Sequence, residues 1–395
     1  MSSPLADYWQ YYNPEYSWED DDSLVDAIAP PELSQDEFLS NGFSMPETEA
    51  LLASSYIAVF GVVIDRYYGG LLRSTDNRTR FRLRDFATEF RAGSSQVQVY
   101  RAQSVADLRR CAERWQSSLS HRLLFRGQLA SYSVNRPRPN PFFQVKGYGE
   151  VSLLPSLWRR MIAKRPTARQ SFRNLYTAEW LRILQSIFDV AEIDRRIKSG
   201  NASGEWIHSC QDLEDSDDPV LSRFGQLQLD LTMGQDFNLA TPLQTLLQHY
   251  GLLSPVLDLT SDLDVALFFA THRYQAGSAH KLCSYDNVGT NGRSSVIYVL
   301  RENETEMQVN GRECVVEELD PLRPKRQSCV VCRSGADALN LAADFLYGII
   351  ALDFDQVPPM KHGVNDLFPG VNSDRFLRAL KANVRFPEYV TEFSS

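Results

Sequence analysis

Leu123-Leu124-Phe125-Arg126-Gly127-Gln128 reads as an apolar strand that ends in a cation, a glycine and an amide. A second apolar segment, Val256-Leu257-Asp258-Leu259-Thr260, alternates in the same way and carries one carboxylate. An arginine closing an apolar strand presents a planar fork of donors that suits a phosphate or a carboxylate. Glycine beside it lets a backbone approach a ligand closely. Two readings of Arg126 follow: it grips an anionic ligand, or it pairs with an internal carboxylate such as Asp258. Gln128 hydrogen-bonds either a ligand or a neighbouring strand.

Between these strands, Gln248-His249-Tyr250-Gly251 closes a helical pattern that begins at Thr241, with Gly251 placed as a C-cap. His249 either satisfies the helix end or, with Tyr250, faces Arg126 and holds a ribose hydroxyl or a ring. Asp258 and Thr260 share one face of an extended segment. A carboxylate within an apolar strand must be paired or perform chemistry. Ser261, with Asp264, reads as a cap for the next helix, predicted over residues 264 to 274.

Working outward, Ser104 and Asp107 start a helix whose Val105, Leu108, Cys111, Trp115 and Leu119 recur at helical spacing. Residues 96 to 100, 294 to 300, 314 to 318 and 328 to 331 read as further strands. Residues 157 to about 197 read as helical, with Arg159-Arg160 and Arg195-Arg196 on solvated faces. Residues 199 to 219 read as a polar surface loop. These elements imply an α+β fold with a mostly antiparallel central sheet flanked by helices and an N-terminal helical extension. Residues 1 to 45 hold aromatic residues among acidic ones and prolines, and read as an arm that is a solvated tail or orders on a protein partner or on its own body. Residues 46 to 94 read as a small helical unit that includes a buried helix over 50 to 64. The main domain spans 95 to 395.

With 395 residues and 43% hydrophobic content, the chain buries a sizeable core. A formal net charge of -9 argues against nucleic acid or an anionic membrane as partner, because phosphate surfaces attract clustered Lys and Arg. No apolar run reaches the roughly 18 residues of a membrane span. Six sparse cysteines and an N-terminus unlike a signal peptide point to a reducing interior, cytoplasmic location. Cys329 and Cys332 form a single pair with no histidine near in sequence, so no metal is expected and two strand thiols are the better reading. Phosphate-binding loops of the Walker or dinucleotide type, and a nucleophile elbow, are absent from the sequence.

The order of the segments resembles the FRG domain family, named for the Phe-Arg-Gly seen here as Phe125, Arg126 and Gly127. The likeness runs over roughly residues 95 to 385. It continues through Leu154 to Arg159, Gln248 to Leu252, Val256 to Thr260, Ala266 to Ala270 and Leu367-Phe368-Pro369. The family is similar, more remotely, to the ADP-ribosyltransferase fold, a likeness of fold rather than of site. That resemblance implies NAD as substrate or nucleotide-like ligand, with Arg126 on its phosphates or ribose, Thr260 or Tyr250 under the nicotinamide, and Gln327 or Glu318 in the catalytic position. A glutamine there positions more than it activates, since it carries no charge and takes no proton. The chain departs from the pattern at Leu253-Ser254-Pro255 and Leu259, where the resemblance implies Pro-Thr-Arg and a tryptophan, and at Cys329 and Val331, where it implies a glycine and an aromatic. The alternative is an interaction module with Arg126 in a structural ion pair. A role in conflict between bacteria and phages is implied by association with the family alone.

Overall fold

The computed structural model describes residues 97–133, 144–156, 186–200, 210–232, 246–277 (except 253 and 255), 282–290, 295–302, 308–310, 317–333, 346–354 and 360–383, with shorter stretches within 34–74 and around 340 and 390. Seven strands form the central sheet: β1 Gln98–Ala102, β2 Leu123–Gln128, β3 Val256–Thr260, β4 Val296–Arg301, β5 Gln308–Asn310, β6 Cys329–Arg333 and β7 Leu346–Leu352. The helices that matter below are α1 Val105–Ser117, α2 Val190–Gly200, α3 Pro219–Thr232, α4 Leu263–Thr271, α5 Leu322–Arg326 and α6 Arg375–Asn383.

The spatial order is β5-β6-β3-β2-β4-β7-β1. Every pairing is antiparallel except that of β7 with the edge strand β1. The fold is therefore α+β with a mostly antiparallel sheet, as the segment pattern implies. Period-2 alternation sorts the side chains. Leu123 and Phe125 face α1 and α4 with Ile297, Val299 and Ile350, whereas Leu124, Leu257, Leu259 and Tyr298 face the opposite core. A third core is helical and joins α2, α3, the turn at 246–252 and α6.

The start of α1 follows the sequence reading: the Ser104 side chain accepts from the Asp107 amide. Residues 190–200 are helical, and Arg195 and Arg196 lie on a solvated face with Glu192 and Asp218. Several expectations need correction. Tyr56–Val59, Val62–Asp65 and Gly69–Ser74 form a three-stranded antiparallel sheet, where the buried helix expected over 50 to 64 would have covered the first two strands. The β-branched run Val62-Val63-Ile64 explains this, since stiff χ1 rotamers favour pleated backbone. The aromatic arm contains a short helix, Gln35–Ser40, in which Ser34 and Glu37 exchange capping bonds and Phe38 is buried. α4 ends at Thr271 and His272–Gln275 is extended, shortening the predicted helix. The loop expected over 199 to 219 contains a helical turn at Cys210–Glu214, and Pro219 opens α3. Pro at a first helical position has no amide to leave unpaired. Residues 1–33, 81–96 and 160–183 lie outside the described residues, so most of the arm and part of the predicted helix over 157 to 197 do too.

Candidate functional site

The two central strands β2 and β3 pair at a single position, Phe125 opposite Thr260. Beyond it they diverge, and the ladder bonds that would join Arg126 to Gln128 with β3 are not made. Arg126 fills the gap: its Nη1 donates to the main-chain oxygen of Asp258 at 2.6 Å. A cavity of about 230 Å³ opens at this divergence, lined by Phe125, Arg126, Gly127, Asp258, Leu259, Thr260, Val265, Phe269, Tyr285, Gln327 and Cys329.

The structure thus brings together Arg126, Gly127, Asp258, Thr260 and Gln327 from the sequence reading. It does not form the carboxylate pair offered as one alternative for Arg126. Its partner is a carbonyl of Asp258, and no ion pair joins the two side chains. Arg126 Nε is buried without a hydrogen-bond partner. Burial pulls its pKa down and the nearby Asp258 charge opposes this. An arginine stays charged in either case, so a cation faces the cavity with donor capacity to spare.

Gly127 serves the fold more than a ligand. A Cβ there would lie 1.7 Å from the Ala266 carbonyl oxygen and 2.9 Å from the Ala270 amide, so α4 rests directly on its backbone. Gln128 is on β2 but lies outside the lining, and its Oε1 is buried without a partner.

Thr260 and Gln327 are held in place. The Thr260 hydroxyl donates to the Gln327 main-chain oxygen at 2.7 Å and accepts from the Asp262 amide at 3.0 Å. Gln327 caps the end of α5. Its Nε2 donates to the Leu367 carbonyl at 3.1 Å, which turns Oε1 toward His249 Nδ1 at 3.3 Å. His249 lies behind the lining, with its side chain only 1% exposed. Its Nε2 sits 3.4 Å from Asp258 Oδ1 but is not aligned for a hydrogen bond. Cys329 Sγ approaches the same carboxylate at 3.8 Å. Burial, reinforced by the Asp258 charge, pushes the Cys329 thiol well above its usual range. The potential ligand atoms of His249, Asp258 and Cys329 all lie within 4.8 Å of one another.

Tyr250 and Glu318 are not in the site. Tyr250 turns into the helical core, where it is fully buried, donates to Asp374 Oδ2 at 2.8 Å and packs against Phe376. Gly251 follows with φ +105°, the left-handed cap expected from the sequence. Glu318 lies on a 3-10 turn, Glu317–Leu319, where a strand was expected, and its carboxylate accepts from Arg223 on α3 at 2.5 to 2.9 Å. That leaves Asp258 as the one carboxylate lining the cavity among the described residues.

Phe269 and Tyr285 line the cavity without having had a functional reading in the sequence, and Cys329 was read only as a strand thiol. Phe269 and Tyr285 make an edge-to-face pair at 5.9 Å, backed by Phe368 stacked on Tyr285 at 5.0 Å. Phe269 reads as core on an apolar helix, and nothing local marks Tyr285. The pair Cys329-x-x-Cys332 is resolved by pleating. Cys332 points into the opposite core and Cys329 toward the cavity, so the two do not chelate together.

No curated protein and no solved structure matches the chain. The model of the FRG domain matches residues 192–279, a stretch that supplies His249, Asp258, Thr260, Val265 and Phe269 but ends short of Tyr285 and begins after Arg126. That match identifies an FRG domain in this part of the chain.

Proposed function

We propose that the cavity binds one end of a nucleotide-like ligand, NAD or ADP-ribose, with Arg126 as the anion-gripping group. The observation that supports this is the Arg126 guanidinium, with its unpartnered Nε, beside the rings of Phe269 and Tyr285. A fixed cationic fork next to aromatic faces suits a phosphate or ribose linked to a ring. The volume of about 230 Å³ is below the roughly 300–1,000 Å³ that takes a drug-sized molecule whole. One end of a dinucleotide enters, and the rest lies along the mouth.

ADP-ribosyl transfer is the finer reading. It breaks the bond between ribose and nicotinamide through a centre that gathers positive charge, which a carboxylate stabilises. In this chain that group is Asp258, because Gln327 and Thr260 are committed to holding the site and Glu318 is remote from it.

Calorimetric titration of the full chain with NAD and with ADP-ribose tests the binding. Saturable heat is expected, with affinity lowered about 10- to 100-fold in Arg126→Gln, the span of a charge-assisted hydrogen bond worth roughly 1.5–3 kcal/mol. Tyr285→Ala should weaken binding as well. Absence of saturable binding to the folded wild-type chain would sink the proposal.

A further inference from the structure

The arrangement behind the cavity contains a mismatch that a proton or a metal ion would resolve. Leu367 O can only accept, so Gln327 must aim its amino group there and its Oε1 at His249. His249 Nδ1 therefore carries the ring proton and donates to Gln327. That leaves Nε2 with a bare lone pair, buried, without a hydrogen-bond partner, and facing Asp258 Oδ1 at 3.4 Å. Two acceptors face one another, and Asp258 Oδ1 also accepts from the Cys329 thiol at 3.8 Å.

We propose that His249 Nε2, Asp258 Oδ1 and Cys329 Sγ form a three-ligand site for a divalent zinc-like ion, with its fourth position open to the cavity. The spacing fits. Zinc bonds of roughly 2.0–2.1 Å to nitrogen or oxygen and about 2.3 Å to sulfur, set at tetrahedral angles, put an N···O edge at about 3.4 Å and an S···O edge at about 3.6 Å. The distances here are 3.4 Å and 3.8 Å. A mixed set of imidazole, thiolate and carboxylate suits a borderline ion. The bond from His249 Nδ1 to Gln327 is the outer contact that fixes a metal-binding ring and its tautomer, which makes Gln327 a positioning residue. Asp258 is 35% exposed on its side chain and lines the cavity, as Cys329 does, so the ion has a way in.

Charge closes the argument. Binding releases the Cys329 thiol proton to solvent, and one thiolate with one carboxylate then neutralises the ion. Arg126 engages the main-chain oxygen of Asp258, not its carboxylate, so it leaves the ligand atom free. It also leaves net positive charge beside the open position. The fourth ligand is thus water or an anionic group, and a bound ion would occupy the Asp258 carboxylate that ribosyl transfer would need.

The test is titration of the full chain, treated with chelator and desalted, with zinc in competition with a chromogenic chelator and with cobalt as a spectroscopic probe, nucleotide being absent. One ion per chain and a thiolate-to-cobalt charge-transfer band are expected. Cys329→Ser should abolish the band, and His249→Gln should weaken zinc at least tenfold. Cys111→Ser, on α1, should bind as wild type does. The proposal is overturned by folded wild-type chain that takes up neither ion, the outcome expected if a protonated His249 simply pairs with Asp258. It is equally overturned by Cys329→Ser and His249→Gln proteins that bind as tightly as wild type. NAD titration run in chelator keeps the outcome for the ligand separate.

Discussion

Gly127 shows how one residue type can carry two readings that only packing separates. Beside an arginine it suggests close approach of a ligand, but the atom it makes room for is the Ala266 carbonyl of α4. Gly127→Ala should therefore lower unfolding free energy by at least about 1–3 kcal/mol, the usual cost of forcing an extra carbon into a packed core. Urea denaturation would read this as a lower midpoint at unchanged slope. An unchanged midpoint would mean that α4 does not lie against β2. Arg126 illustrates the complementary limit. The sequence makes it a gripping residue, yet its partner is a main-chain oxygen, which no residue type announces. Tyr250 was misjudged for a similar reason. It adjoins His249 in sequence, but the end of the helical turn sends the two side chains to different cores, Tyr250 to Asp374 and His249 to Asp258.

Among the elements, α4 fixes the back of the cavity, supplying Val265 and Phe269. Its cap is Asp262, whose side chain accepts from the Asp264 amide at 2.8 Å, and not Ser261, whose hydroxyl donates to Ser328 O. The sequence located this helix start to within a residue but took Ser261 for the cap. Asp262 also pairs with Lys361 at 3.3 Å and His362 at 3.2 Å, tying α4 to the segment that leads to Leu367. Burial alone would raise its carboxyl, but the Asp264 amide, His362 and Lys361 outweigh it and leave the pKa lowered. A depressed folded value stabilises above the unfolded pKa, about 3.9, and that gain fades as pH falls through the folded value. Asp262→Ala should cost about 1 kcal/mol at neutral pH through the lost cap. The gap to wild type should narrow on acidification below about pH 4, in denaturant titrations across pH. A gap that stays constant would show that the charge of Asp262 contributes nothing. Strands β2, β3, β4 and β6 were legible from apolar alternation, whereas β7 and α6 had no reading in the sequence. The fate of Glu318 could not be read either, because its partner Arg223 sits on α3, a helix with no reading in the sequence.

Across the whole molecule, Arg323 joins the helical core to the chain's later segments. It is fully buried, its guanidinium lies over Tyr250 at 4.7 Å and Phe393 at 5.4 Å, and it donates to His249 O and to Thr391 O and Oγ1. Among the described residues no carboxylate lies within ion-pair distance of it. Arg323→Met would keep bulk but leave the buried His249 carbonyl unpaired, at about 1–3 kcal/mol, and the half-buried Thr391 carbonyl without its donor. Scanning calorimetry should show a midpoint lower by several degrees, and Arg323→Lys should not restore it, because a point charge cannot span a fork. Wild-type-like melting of the methionine variant would refute this. The α+β class was legible because segment alternation reports burial directly. The site was half legible, because residues such as Cys329 and Tyr285 acquire meaning only from neighbours far away in the chain.

The single pairing of Phe125 with Thr260 divides the sheet into a ribbon of β5, β6 and β3 and a ribbon of β2, β4, β7 and β1. Arg126 and Asp258, which close that seam, are 132 residues apart. Pairings within the second ribbon span longer separations still, as Arg126 with Tyr298, so it is the single ladder pair that leaves the seam with little bonding to reward its closure. Each ribbon can gather its own antiparallel pairs first, and the cavity then comes into being when the ribbons meet. Its appearance, followed in stopped-flow refolding by a ligand that needs Arg126, is expected to come after the ribbons have formed.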